Sequence, residues 1–322
     1  MYFTSSRGLW WLKNILFLIV LYLVYLLFDQ KGESIEAVKN SFSQLSFNKG
    51  LLWIVLGLTP INWAFEAWKW QRLASRIEDI GFWEAYKGVL TGLALSTFTP
   101  LMIGDYAGKI LMLKTQKRAE SIGAILLGNG MQLYVSLLFG TISYMYFLWV
   151  SQPSPFVAHA LVILLLIFCL IVGVVIAFNL YRIDKVPTVH TIIKKMLQYL
   201  LVLKEYDLNE LKTIFLIATA RYLTFTLQFV LLLKVFQIDL SLRVLLAGVG
   251  MIFLTKTLAS AFNFLGDLSI RELTSVYYFG YFGVKVSVIA SATFTIWLIN
   301  VLFPILVGSF FILALRFSTK KT

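Results

Sequence analysis

Apolar stretches of about 20 residues recur along the whole chain, the length an α-helix needs to cross a roughly 30 Å hydrocarbon core at 1.5 Å per residue. In lipid every backbone N–H and C=O must be bonded within the protein, so segments of this kind fold as helices. They leave no room among 322 residues for a sizeable water-soluble domain. The expected fold is therefore all-α, a polytopic integral membrane protein. Composition agrees, with 59% hydrophobic residues and a mean hydropathy of +0.83, far above the apolar share of a soluble domain. The net charge of +12 does not point to nucleic acid, because the basic residues alternate with apolar segments and do not line one soluble face. Membrane topology accounts for them, and no nucleic-acid partner is expected.

Full spans are expected at 9–28, 50–68, 121–150, 157–180, 213–235 and 286–315, about six in all. The first has no small-residue cleavage site and is longer than a signal-peptide core, so it is expected to be retained with Met1 as the N-terminus. Two regions do not read as simple spans. Residues 85–116 contain GVLTGLALSTFTPLMIGDYAGKILML, broken by Thr-Pro and by glycines, and residues 243–284 are interrupted at NFLGDLSIRE. Both are read as broken re-entrant hairpins of two half-helices within a single transmembrane domain, 1–322. Between them, residues 181–212 place Ile192, Ile193, Met196, Leu197, Leu200 and Leu201 among Lys194, Lys195 and Lys204. That pattern suits an amphipathic helix on the inner leaflet, or a plain cytoplasmic linker helix.

Lys and Arg in short loops mark the cytoplasmic side. With the first span starting inside, the inner segments hold 18 basic residues and the outer ones 6. The contrast requires each hairpin to return to the side it entered from, or an equal adjustment at both. Both termini are then cytoplasmic in a cell (inner) membrane, the first hairpin entering from the cytoplasm and the second from outside. The hairpins also resemble each other: Gly104-Asp105-x-x-x-Lys109 and Gly266-Asp267-x-x-x-Arg271 share one spacing, 162 residues apart. Related segments of opposite orientation are the signature of an inverted-repeat transporter.

Charged side chains at membrane depth carry the functional expectation, since an Asp, Lys or Arg at the bilayer centre costs roughly 2.5–3.5 kcal/mol even on permissive scales. Asp105 and Lys109 are four apart, as are Asp267 and Arg271, so each pair shares a helix face and can form an ion pair. Lys109 and Arg271 are candidate donors to an anionic group such as a lipid phosphate, with Asp105, Asp267 and Glu272 orienting them or binding a coupling ion. Gly104, Pro100, Gly266 and Asn263 are read as the hairpin turns. The competing assignment is structural: Asp105 caps the helix after it, and Ser269 with Glu272 forms an S-x-x-E capping box. Lys256 and Arg221 are candidates for lining the same cavity. Glu66, Asn129 and Gln132 are secondary candidates, each with a structural reading that is favoured: Glu66 and Lys69 snorkel to the interface, and Asn129 and Gln132 hold helices together. His159, His190 and the lone Cys169 give no zinc-binding pattern, and no Walker loop, G-x-S-x-G elbow or dinucleotide fingerprint is present, so no metal or cofactor is expected.

On these residues the chain resembles the lysylphosphatidylglycerol synthase transmembrane-region family, the flippase-like membrane part of the multiple peptide resistance factor and its stand-alone relatives. The first family motif is met by Gly92, Thr97, Pro100, Gly104, Asp105 and Lys109, and the second by Gly266, Asp267, Leu268, Ser269, Ile270, Arg271 and Glu272. The sequence departs from the pattern in having Ser or Thr for the usual asparagine, Lys109 for the usual arginine, and Asn263 for the proline before the second turn. The resemblance implies lipid as the ligand. The chain ends seven residues after Leu315, with no soluble aminoacyl-transferase domain, so synthesis of lysylphosphatidylglycerol by this chain alone is not expected. The leading expectation is movement of an anionic or zwitterionic phospholipid, or a polyprenyl-phosphate-linked lipid, between leaflets. Two alternatives remain open: a headgroup transferase using Asp105 or Glu272 as base, and a non-catalytic scaffold for a separately encoded lipid-modifying enzyme. Expected partners are membrane lipids, with a homo-oligomer or such an enzyme as further possibilities.

Overall fold

The computed structural model describes residues 35–43, 49–99, 103–115, 118–152, 156–185, 197–258 and 264–318. Among them there is no β-strand. The helices are α1 (Ile35–Ser43), α2 (Lys49–Ala74), α3 (Phe82–Phe98), α4 (Ile103–Leu111), α5 (Ser121–Ser151), α6 (Phe156–Asn179), α7 (Leu208–Val235), α8 (Leu242–Leu258), α9 (Phe264–Tyr281), α10 (Val286–Trp297) and α11 (Phe303–Ser318). A π-helical turn, Leu298–Leu302, joins the last two. Five stretches are long and apolar enough to cross a membrane: Lys49–Ala74, Ser121–Ser151, Val157–Ile183, Leu208–Val235 and Val286–Leu313. These correspond to five of the expected spans; the sixth, 9–28, lies outside the described residues.

Local chemistry sets the helix ends. Asp207 and Glu210 form a capping box at the start of α7, Asp207 Oδ1 accepting from the Glu210 N–H at 2.8 Å and Glu210 Oε2 from the Asp207 N–H at 3.0 Å. At the end of α5, Gln152 adopts a left-handed conformation (φ 43°) and its N–H returns to the Leu148 carbonyl. Pro60 lies inside α2 and lacks the N–H that would bond Leu56. Beside that gap the Val55 carbonyl accepts from Gln228 Nε2 of α7 at 2.7 Å, a neighbour supplying a bond at a break in the span.

The helices pack as two related halves. α2 and α7 lie antiparallel, as Val55 meeting Gln228, Glu66 meeting Arg221 and Arg76 meeting Glu210 show. α3 and α4 form an antiparallel pair, and so do α8 and α9, where Thr255 bonds Thr274 and the Tyr278 hydroxyl donates to the Val244 carbonyl. Contacts between halves are reciprocal: α8 packs on α5, with Gly140 against Leu254, while α3 packs on α11, with Gly308 against Leu90 and Ala94. These contacts relate α2–α5 to α7–α11, and α2 and its counterpart α7 run in opposite directions. α6 stands at the edge, with 6% of its apolar window buried, which is how a helix facing lipid on most sides looks.

Three sequence expectations change here. The glycines of the first pair do not break helices. They bring α3 and α4 together, since a Cβ on Gly104 would lie 2.1 Å from the Ser96 nitrogen and one on Gly108 2.1 Å from the Gly92 nitrogen. In the second pair α8 ends at Leu258 and α9 starts at Phe264, so the stretch is two helices as expected, but Gly266, Asp267, Arg271 and Glu272 lie within α9 and are not the turn. That helix also places Ser269 inside α9, away from an N-terminus, so Ser269 and Glu272 form no capping box. Of the connection 181–212, Ile192, Ile193 and Met196 lie outside the described residues. Its last part packs on protein: Val202, Leu203 and Tyr206 are buried, and the Tyr206 hydroxyl donates to the Leu73 carbonyl at 2.6 Å. Burial pushes that phenol up, which keeps it a donor.

Candidate functional site

The polar residues of α2 recur as Thr59, Asn62, Trp63 and Glu66, one face of a helix in an otherwise apolar span. That face meets α7, and α4 and α5 close on its lower end. Glu66 is the centre. Its carboxylate faces Lys69 at 2.7 Å, Arg221 of α7 at 3.0 Å and Lys109 of α4 at 3.2 Å. Lys109 also faces Asp105 at 3.0 Å, the ion pair that the four-residue spacing predicts. From α5, Asn129 donates to Asp105 at 3.4 Å and Gln132 accepts from Arg221 at 3.3 Å. The Arg221 guanidinium lies 5.3 Å from the centre of the Trp63 ring, within reach of a cation–π contact.

This group has a buried floor and an accessible rim. The side chains of Lys69, Lys109 and Glu66 are 2%, 4% and 7% exposed, whereas those of Asp105 and Arg221 are each 19% exposed. Asn129 and Gln132 are half-buried beside them. Three cations against two carboxylates leave one surplus positive charge. The arrangement is suited to holding an anionic group against the rim. Asp105 stands in the first turn of α4, where helix polarity favours a carboxylate, but the Gly104 N–H is capped by the Thr99 hydroxyl at 2.8 Å. The side chain of Asp105 serves the ion pair.

A second, uncharged network continues along the α2–α7 seam. The Trp63 indole N–H donates to the Asn300 carbonyl in the π-helical turn at 3.2 Å, and Asn300 Nδ2 donates to Gln228. Gln228 Nε2 in turn donates to Thr59 at 2.9 Å and to the Val55 carbonyl. Glu66 and Gln228 are 162 positions apart, as are Thr59 and Arg221, the same interval that separates Asp105 from Asp267 and Lys109 from Arg271. The Glu66–Arg221 contact and the Gln228–Thr59 contact are thus counterparts, one charged and one neutral.

The other candidates lie on the second helix pair. Arg271 is fully buried, its guanidinium 5.8 Å from the centre of the Phe225 ring, one turn along α7 from Arg221. Glu272 beside it is 9% exposed. Lys256 is half-buried in the last turn of α8. Gly266 and Asp267 belong to the first turns of α9, the Asp267 side chain being outside the described residues, as are Pro100 and Asn263 entirely. The structure therefore gathers Asp105, Lys109 and Arg221 into one cluster with Asn129 and Gln132. Glu66 and Lys69 correct their expected place: both are buried in the protein and do not reach for the interface, because Lys109 and Arg221 meet the carboxylate where it stands. The periodic polar face of α2 was the signal that could have placed them.

An all-α polytopic membrane protein with an ion-paired polar cluster between its spans is the class these observations define. The chain belongs to the family described as lysylphosphatidylglycerol synthase TM region, whose sequence model matches residues 12–308, and is thereby a membrane protein concerned with lipid. No curated protein and no solved structure matches it.

Proposed function

We propose that the protein moves a phosphate-bearing lipid, a phospholipid or a polyprenyl-phosphate-linked one, between the leaflets of the cell membrane. The observation that carries this reading is the surplus positive charge of the Glu66 cluster together with its partly exposed rim of Asp105, Asn129, Gln132 and Arg221. Arg221 is the fourteenth of 28 residues in α7, so the rim lies near mid-span, where a headgroup crossing the bilayer needs polar partners most. Inverted halves give such a site two equivalent ways to open, one toward each leaflet. The α3–α4 and α8–α9 pairs are the re-entrant elements of this mechanism, and both termini face the cytoplasm. Purified protein in liposomes is expected to speed transbilayer movement of a headgroup-labelled phosphatidylglycerol or polyprenyl phosphate above empty vesicles. No movement across these lipid classes would overturn the reading, and chemical turnover of the labelled headgroup would point to a transferase.

A further inference from the structure

We infer that Arg221 is the residue that takes the anionic group of the ligand, and that it does so by exchanging Glu66 for a phosphate oxygen. The lipid-handling reading supplies the kind of ligand, a phosphodiester headgroup; the exchange itself rests on how the cluster is built.

Charge balance comes first. Glu66, Asp105, Lys69 and Lys109 all belong to the first half of the chain, and two carboxylates against two ammonium groups make that set neutral. Arg221 comes from α7, in the second half, and brings the surplus charge. When it leaves, Glu66 is not stranded, since Lys69 at 2.7 Å and Lys109 at 3.2 Å still face it. Lys109 has no such freedom, because its departure strips a cation from Glu66 and from Asp105 together.

Access and geometry agree. Arg221 is the cation of the cluster that reaches the rim, with 19% of its side chain exposed against 2% and 4% for the two lysines. Its contacts to Glu66 and Gln132 both use Nη1, and its Nε is buried and makes no hydrogen bond among the described residues, a donor left over inside the cluster. A guanidinium held through one nitrogen keeps part of its planar fork for an incoming oxyanion, and a phosphate fits that fork in a bidentate way. The Glu66–Arg221 contact is also a tie between α2 and α7. Taking Arg221 onto the ligand releases the charged tie, while its neutral counterpart, Gln228 to Thr59, stays made. The exchange thereby links ligand binding to loosening of one side of the seam between the halves.

The test is binding of short-chain phosphatidylglycerol to the full-length protein in detergent by isothermal titration, with inorganic phosphate as a parallel ligand. Arg221→Gln leaves a neutral cluster, so it is expected to melt near the wild-type temperature and to bind about tenfold more weakly or worse. Glu66→Gln frees Arg221 and is expected to bind about threefold to tenfold more tightly. In the double variant that gain is expected to vanish. Wild-type affinity in Arg221→Gln would overturn the inference, as would a gain that survives in the double variant, which would assign it to Lys69 and Lys109. If Glu66→Gln fails to fold, Arg221→Gln alone decides. Tight, Arg221-dependent binding of inorganic phosphate would support the exchange with a free anion as its ligand. Lipid that binds through Arg221 without crossing vesicles would leave this inference standing and overturn the translocation reading.

Discussion

Glu66 shows how one side chain changes character with its neighbours. On an isolated span it is a carboxylate about two turns from the helix end, able to extend toward water. Among Lys69, Lys109 and Arg221 it becomes the anion that holds three elements together, and it stays buried. The glycines act at the same scale through the absence of a side chain. Gly104→Ala places a Cβ 2.1 Å from the Ser96 nitrogen and should force α3 and α4 apart, a loss of about 1–3 kcal/mol read as a lower melting temperature in detergent. Gly57→Ala meets nothing within 4 Å and is expected to stay within about 1 kcal/mol of wild type, on the stabilising side because alanine favours helix. Equal losses in the two variants would contradict the close-approach role of Gly104.

Among the elements, apolar length settled most of what the sequence alone could settle. The spans at 50–68, 121–150, 157–180, 213–235 and 286–315 match the structure because a window of about 20 apolar residues has one solution in lipid. What that reasoning misjudged was the meaning of polar interruptions. NFLGDLSIRE resembles a break because charge and glycine end helices in water, yet from Phe264 on it is the first part of α9. Glu66 and Lys69 were misplaced for a related reason: i, i+3 spacing shows that they can pair, whereas the arrival of Lys109 and Arg221 depends on contacts far away in sequence. The Asp105–Lys109 pair was readable because it is local. The π-helical turn left no sequence signal. It presents Asn300 to Gln228 and Trp63, and Asn300→Leu leaves the Gln228 amide oxygen without its donor. A loss of about 1–3 kcal/mol in thermal stability is expected, and an unchanged melting point would mean the neutral network contributes nothing to the seam.

At the level of the whole molecule, the two halves are alike in path and unlike in chemistry. Reciprocal packing of α3 on α11 and of α8 on α5 repeats one plan in opposite directions. Along the shared α2–α7 seam, however, the Glu66–Arg221 contact is charged where its counterpart, Gln228–Thr59, is neutral. In the proposed mechanism the charged site would hold a headgroup and the two halves would expose it to either leaflet in turn. The proposed ligand is a membrane lipid, a reading that family membership and the surplus charge support. The measurement that bears most directly on this is headgroup-labelled phosphatidylglycerol movement in liposomes, comparing wild type with Arg221→Gln at equal protein content and equal melting temperature. The change removes the surplus charge and the rim cation together, while Glu66 keeps Lys69 and Lys109. Movement in the wild type that falls to the level of empty vesicles in Arg221→Gln is the expected result; the same movement in both would place the path of the lipid away from this cluster.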